Sequence, residues 1–228
     1  MKKEPNGGKD EVYLRWGEEA LGGSDGWRAL EYGDRSEVFE TAHLRKGYFL
    51  KVAPTLEGER NRLNWLEGKL PVPRVVAFTR IGDRDALLLS AVKGKNLLRL
   101  AREWPAANVI GELAEALRRF HAAPAGNCPF GTPAPGAVFV HGDACMSNFI
   151  FKENGTFSGY VDLGDMRVGD PTDDLAAAVW SVEYNLGPGR GLELLNAYGI
   201  ANATEAFVEE LKERYEAMQK EWGLLSEE

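Results

Sequence analysis

The stretch His141–Asp174, HGDACMSNFIFKENGTFSGYVDLGDMRVGDPTDD, decides the reading of this chain. His141-Gly142-Asp143 is followed by Asn148, five residues after the aspartate. A hairpin pattern comes next: Asn148 to Phe151, then Asn154-Gly155, then Phe157 to Val161. Asn-Gly predicts a type I′ turn, in which both central residues take positive φ. The hairpin carries the chain from Asn148 to Asp162-Leu163-Gly164 and sets the loop before it beside the loop after it. Asp143, Asn148 and Asp162 are therefore expected to converge on one small volume.

Such a trio suits phosphoryl transfer. Mg²⁺ takes oxygen ligands and keeps substrate phosphates in its shell. An Asn amide oxygen and an Asp carboxylate would supply such ligands, and a further Asp could accept the proton of an attacking hydroxyl. The kinase pattern H-x-D-x-x-x-x-N followed by Asp-x-Gly has these parts at this spacing. Two positions differ from protein kinases: Gly142 replaces Arg, and Cys145 stands where Lys is common. Alone, His141 would serve as a general base; within the kinase pattern it braces the loop. Cys145 has the location of a reactive thiol, but a buried inert cysteine is the commoner case. Asp174, ahead of an apolar run, suits a helix cap or a brace for the catalytic loop.

Working upstream, Trp27–Tyr32 and Glu37–Glu40 read as strands around Gly33-Asp34-Arg35-Ser36, a turn able to present backbone N–H groups to phosphates. Tyr48–Val52 alternates as a strand. Lys51 within it belongs either to a solvated face or to the α- and β-phosphates of a nucleotide. The phosphate role needs a helical carboxylate to orient the lysine. The following stretch GERNRLNWLEGKL has a helical stripe of Leu63, Leu66 and Leu70, and Glu57 and Glu59 both qualify. Pro71 and Pro73 end that helix. Val75–Thr79 and Ala86–Val92 read as strands around the turn Gly82-Asp83-Arg84-Asp85, and Lys93-Gly94 reads as a hinge.

Downstream of the hinge, Asn108–His121 is helical, with Val109, Ile110, Leu113, Leu117 and Phe120 on one face. His121, near its C-terminus, suits a packed or dipole-compensating residue. AAPAGNCPFGTPAPGAV is a loop. Glu205–Trp222 is a helix with Phe207, Leu211, Tyr215, Met218 and Trp222 on one stripe, and its glutamates fall mostly on a solvated face.

The totals narrow the classes. Lys and Arg number 27 against 35 Asp and Glu, a net charge of −8, which argues against a nucleic-acid backbone as partner. Cys128 and Cys145 have neither metal nor disulfide spacing, so a reducing cytoplasmic setting is expected. MKKEPNGGKDE lacks the apolar core of a signal peptide, and the longest apolar run, about Ala86–Val92, is far short of a membrane span. Residues 1–10 read as a loose polar tail.

HGDACMSN with VDLGDMRVGDPTDDLA resembles the aminoglycoside phosphotransferase family. The resemblance extends through YFLKV, LNWLEGKLPVPRVV and ALLLSAVKG upstream, and SVEYNLG and LLNAYGI downstream, covering about Tyr32 to Met218. It implies an α+β, two-lobed protein-kinase-like fold. Residues 1–92 would form a nucleotide-binding lobe with a small antiparallel sheet, and residues 93–228 a mainly helical catalytic and substrate-binding lobe, with ATP in the cleft. It implies transfer of the γ-phosphoryl group to a hydroxyl of an aminoglycoside by a monomer, with Mg²⁺ and with ATP, or GTP as the alternative. Asp143 is then the catalytic base, and Asn148 and Asp162 are the metal ligands. Alignment on LNWLEGKLPVP favours Glu59 as the partner of Lys51. Ser36 belongs to the phosphate turn. Phe49 matches the residue that stacks on adenine, with a core phenylalanine as the alternative, and the adenine edge falls to the Ser90 carbonyl and the Val92 N–H. The family's helical insertion between the Asn108–His121 helix and the catalytic loop is absent. Asp165, Glu183, Glu213 and Glu216 are the carboxylates left to meet a cationic acceptor, since Arg214 and Tyr215 fall where relatives place acidic residues.

Other acceptors fit the same machinery: homoserine, choline, a sugar or a macrolide. Two other classes use fewer of these residues. A metal-dependent hydrolase would cluster His141, Asp143, Asp162 and Asp165 but leaves Lys51 and Glu59 without a role. A nucleotide-binding module without turnover leaves the catalytic groups without one.

Overall fold

A computed structural model describes residues 10–30 and 36–223. The chain divides between Val92 and Lys93 into two compact units. Among the described residues, no helix is long and apolar enough to cross a membrane.

The first unit holds α1 (Glu11–Leu21), β1 (Arg28–Leu30), β2 (Glu37–His43), β3 (Lys46–Ala53), α2 (Glu57–Leu66), β4 (Val75–Ile81) and β5 (Arg84–Ser90). Its strands form one antiparallel sheet in the order β1-β2-β3-β5-β4. Alternate residues of a strand face opposite sides, and β3 uses both. Leu50 and Val52 point into a core with Tyr13, Phe39, Ala86 and Leu88. Phe49 and Lys51 point the other way. Helix α1, which the sequence reading passed over, closes the first face: Tyr13 enters that core, with Val12, Leu14 and Trp16 packed around it.

Two turns differ from expectation. The turn expected at Gly82–Asp85 is the two-residue turn Gly82-Asp83, because Ile81 pairs with Arg84 and Asp85 already pairs with Ala53 and Arg80 inside the sheet. The Asn154-Gly155 turn is not type I′, since only Gly155 has positive φ (84°). Gly155 N–H donates to Lys152 O at 3.0 Å and Lys152 N–H to Thr156 O at 2.9 Å. The loop is therefore Glu153–Gly155, one residue longer, with glycine in the left-handed place of a three-residue hairpin loop. Asn154 instead accepts Thr156 N–H through its side chain, at 3.1 Å. Two consecutive left-handed residues occur at Leu44 and Arg45 (φ 49° and 63°), which link β2 to β3 without an Asn-Gly signal. Of the turn expected at Gly33–Ser36, only Ser36 lies among the described residues, just ahead of β2. Glu31 and Tyr32 of the expected first strand, and the polar tail before Asp10, also lie outside them.

The second unit holds β6 (Lys95–Asn96), α3 (Leu97–Leu100), α4 (Ala106–His121), β7 (Val138–Val140), β8 (Phe149–Phe151), β9 (Phe157–Tyr160), β10 (Arg167–Gly169), α5 (Pro171–Leu186), α6 (Arg190–Tyr198) and α7 (Glu205–Glu221). Helix α5 is central and packs on α4, α6 and α7. Its buried run Leu175–Val179 includes three alanines, which lets neighbouring helices approach closely. Asp170 caps α5 by accepting Thr172 N–H at 2.9 Å, with Pro171 at the first helical position. Strand β7 pairs with β10, and β8 lies between β6 and β9. The Tyr160 hydroxyl, fully buried, donates to Ala116 O of α4 at 2.9 Å and ties the hairpin to the helices.

The observed turn makes a test. Asn154→Gly would favour a type I′ turn but loses the bond to Thr156 and adds chain entropy to the unfolded state. Urea unfolding is expected to show a loss of about 1 kcal/mol. A gain in stability would contradict the three-residue loop.

Candidate active site

Strand β7 delivers the chain into His141-Gly142-Asp143. Asp174, entirely buried in the first turn of α5, holds this loop by its backbone. Its Oδ2 accepts His141 N–H at 2.7 Å and its Oδ1 accepts Gly142 N–H at 2.9 Å. His121 Nε2 lies 3.0 Å from the same Oδ2, while its Nδ1 lies 2.7 Å from the Tyr198 hydroxyl. Asp174 is thus a brace, as expected, and the helix cap is Asp170. Gly142 sits at φ 89°, and a Cβ there would come within 2.7 Å of the Asp165 carbonyl oxygen and Cβ. Left-handed backbone and close approach together exclude the arginine of protein kinases.

His141 is also buried. Its Nε2 donates to Val161 O at 3.0 Å, its Nδ1 accepts Asp143 N–H at 3.4 Å, and its ring stacks on Phe149. Both ring nitrogens serve the loop, which makes His141 a brace. Val161 N–H donates to Asn148 O at 3.0 Å. The residue before Asp162 is therefore tied to both His141 and Asn148. Asp162 has a left-handed backbone, φ 59°, unusual without a glycine.

Asp143 and Asn148 touch. The Asn148 amide donates to Asp143 O at 2.8 Å and to Asp143 Oδ2 at 3.0 Å. The other carboxylate oxygen, Oδ1, receives the Tyr215 hydroxyl at 3.4 Å. Tyr215 comes from α7, is 4% exposed, and also lies 3.2 Å from Cys145 Sγ. Burial pushes both the Cys145 thiol and the Tyr215 phenol well above their ordinary range, and the Asp143 charge adds to each. Both stay neutral, so Cys145 is not an activated thiol. The sequence reading placed Tyr215 on a packing stripe; its contact with Asp143 had no local signal.

In the first unit, Lys51 Nζ lies 2.7 Å and 3.0 Å from the two carboxylate oxygens of Glu59, which is 5% exposed. Glu57 instead pairs with Arg60 at 2.8 Å, on the surface. The start of α2 is fixed by buried Asp85, which accepts Leu56 N–H at 2.8 Å and Arg80 Nη1 at 2.9 Å. Phe49 shares the sheet face of Lys51 and is half-buried. The Ser90 hydroxyl accepts Arg74 N–H at 2.9 Å. Val92 is half-buried at the end of the unit.

The four acidic candidates differ in setting. Asp165 lies against Gly142, and its carbonyl accepts Arg167 Nη1 at 3.1 Å. Glu183 accepts Gly191 N–H at 2.6 Å and so serves the first turn of α6. Glu213 and Glu216 are exposed on α7. Lys212 sits among them: hydrogen bonding to Glu209 raises its pKa, and the charges of Glu183 and Glu216 add to the shift. Arg214 pairs with Asp173 at 2.6 Å, and Asp173 also receives Arg167. Among the described residues, no three or more His, Cys, Asp and Glu side chains gather as a metal cage.

A sequence model of the phosphotransferase enzyme family matches residues 25–136 and 132–211. An aminoglycoside 3′-phosphotransferase of Escherichia coli is 29% identical, over 82% of this chain and 84% of its own length. A streptomycin 3″-kinase of Streptomyces griseus is 25% identical, over 86% of this chain and 85% of its own. Among solved structures, an aminoglycoside phosphotransferase of Streptomyces rimosus in complex with ADP and streptomycin aligns with a TM-score of 0.72 at 23% identity, covering 92% of this chain and 98% of that one. An aminoglycoside-3′-phosphotransferase of type VIII aligns with a TM-score of 0.70 at 24% identity, covering 88% and 98%. The likeness shows the same α+β, protein-kinase-like fold.

Asp174→Asn tests the brace. The amide leaves at least one of the three donors without an acceptor. A loss of about 1–3 kcal/mol is expected, a fall in Tm of roughly 2–12 °C for a chain of this size. Asp170→Asn, which keeps a good cap, is expected to leave Tm nearly unchanged. Equal Tm for Asp174→Asn and wild type would contradict the brace.

Proposed function

This chain belongs to the phosphotransferase enzyme family, and from that premise we propose that it transfers the γ-phosphoryl group of ATP to a hydroxyl of an aminoglycoside. The observation that carries the reading is the Asp143 carboxylate, held at Oδ2 by Asn148 and at Oδ1 by Tyr215 on a loop braced by Asp174. A carboxylate fixed in this way is suited to accept the hydroxyl proton as the acceptor oxygen attacks.

The donors suit Mg²⁺. Asn148 commits its amide nitrogen to Asp143, which leaves Oδ1 as its acceptor end; Ser147 Oγ donates to that oxygen at 3.3 Å. With the Asp162 carboxylate this makes a small set of hard oxygen ligands of the kind Mg²⁺ takes. Bound there, the ion would offset charge on the phosphates. Asn148 and Asp162 are the residues that would hold it.

In the first unit, Glu59 orients the Lys51 ammonium, whose role in this reading is to meet the α- and β-phosphates. Ser36, just ahead of β2, is the described residue that this reading assigns to the phosphates. Phe49 offers a ring to the adenine, and the Ser90 carbonyl and Val92 N–H offer its edge a hydrogen-bonding pair. Catalysis is then mostly positioning and electrostatics. The acceptor class rests on the relatives, which carry aminoglycoside names at 25–29% identity over more than four-fifths of this chain. In this reading Asp165, Glu213 and Glu216 are the carboxylates that would meet a cationic acceptor, while Glu183 is already bound to α6. All the proposed groups come from one chain, so a monomer suffices. The setting is the cytoplasm, where the two thiols stay reduced.

A nucleotide-consumption panel tests the reading: kanamycin- and neomycin-type drugs, streptomycin, hygromycin, homoserine, choline and a macrolide. Turnover is expected with cationic drugs. Asp143→Asn should lower kcat by about 10²–10⁴-fold and leave ATP binding intact. Turnover with only a non-cationic acceptor overturns the acceptor class, and full kcat in Asp143→Asn overturns the base.

A further inference from the structure

We propose that Trp180, Tyr184 and Tyr215 form an aromatic shelf that holds a sugar-like ring of the acceptor beside Asp143. The proposal rests on the phosphotransfer reading above and deepens it by naming how the acceptor is held. It starts at the base itself. The Tyr215 hydroxyl reaches Asp143 Oδ1 at 3.4 Å. The Tyr215 ring lies 5.2 Å from Trp180 of α5, tilted by 44°. Trp180 in turn stacks on Tyr184, one helical turn further on, with centroids 5.0 Å apart and planes 7° apart. Three rings thus run without a break from the base to the surface.

The outer ring is open. Tyr184 is 75% exposed although one of its faces is covered by Trp180, so the other face meets solvent. Among the described residues only Leu44, on a hairpin turn, is a large apolar side chain as exposed. Cys145, two residues past Asp143, points its thiol at Ala177 O of α5. Tyr184 is seven residues beyond Ala177, about 10 Å along the helix. That separation suits a ring linked to the one bearing the phosphorylated hydroxyl.

Several charges of this face are already engaged. Glu183 accepts Gly191 N–H, Glu209 pairs with Lys212, and Asp173 pairs with both Arg167 and Arg214. Beside the exposed Glu213 and Glu216 of α7, α5 offers an exposed aromatic surface. Its chemical complement is the flat C–H face of a pyranose or aminocyclitol ring, held by stacking and dispersion.

The test uses Tyr184→Ala, with Tyr184→Phe as the conservative variant, because an exposed ring can be removed with the fold intact. The probes are kanamycin, which has several rings, and glucosamine, which has one. Kd is read by calorimetry without nucleotide, alongside steady-state kinetics. Tyr184→Ala should raise Kd and KM for kanamycin about three- to tenfold. The change should fall on KM rather than kcat, and Tyr184→Phe should restore wild-type values. Glucosamine should respond less. The loss should be equal at low and high salt, because stacking is not screened. The proposal is overturned if wild type does not bind kanamycin, if Tyr184→Ala binds it as wild type does, if Tyr184→Phe fails to rescue, or if the loss vanishes at high salt. It is also overturned if sedimentation shows a dimer that Tyr184→Ala dissolves, since a second copy would then cover the shelf. Ring-dependent binding without phosphoryl transfer would uphold the shelf and overturn the phosphotransfer reading.

Discussion

The second unit depends on one buried carboxylate. Asp174 has no access to water, and a charge in that position is tolerated only with its acceptor sites filled. Its donors are His141 N–H, Gly142 N–H and the His121 ring. They belong to the loop after β7 and to the end of α4. Satisfying one side chain of α5 thereby fixes the loop that bears Asp143 against two helices. The constraint then spreads. His141, held by its backbone, binds Val161 O, while Gly142 lets the Asp165 loop close against it. Asp143 and the Asp162 loop are set in place by atoms that are not themselves suited to the chemistry.

The first unit uses the same device. Asp85, 2% exposed, binds Leu56 N–H and Arg80, and so fixes where α2 begins. That sets the height of Glu59 above the sheet, and Glu59 sets Lys51. In each unit an inaccessible carboxylate orders the backbone, and a more accessible charged group, Lys51 or Asp143, is positioned through that backbone. Removing one partner of such a buried set costs more than the pair contributes, because the other is left without compensation.

The α+β, kinase-like fold was legible because its signals are local. The spacing of His141, Asp143 and Asn148, the strand alternation at Tyr48–Val52 and the stripe of α4 each lie within a few turns of chain. The Lys51–Glu59 contact also had a local trace: Glu59, Leu63 and Leu66 recur at i, i+4 and i+7, which puts the acid on the buried face of α2. Glu57 lies off that stripe and stays at the surface. Other features had no local trace. Tyr215 meets Asp143 across 72 positions, and His121 meets Asp174 across 53. On a helical stripe, a residue that packs and one that packs while donating a hydrogen bond look alike. The turns failed for a related reason. Asn154 found a better partner in Thr156, and the left-handed pair at Leu44-Arg45 is imposed by the register of β2 on β3.

The central claim is that the braced Asp143 loop serves transfer of a phosphoryl group to an alcohol, and the fate of the terminal phosphate decides it most directly. ATP labelled in the γ-phosphate, incubated with the protein, Mg²⁺ and kanamycin, is expected to pass its label to the drug as a stable phosphate monoester, with ADP formed in equal amount. Label appearing only as inorganic phosphate, or remaining in ATP across the full set of acceptors, would contradict the account.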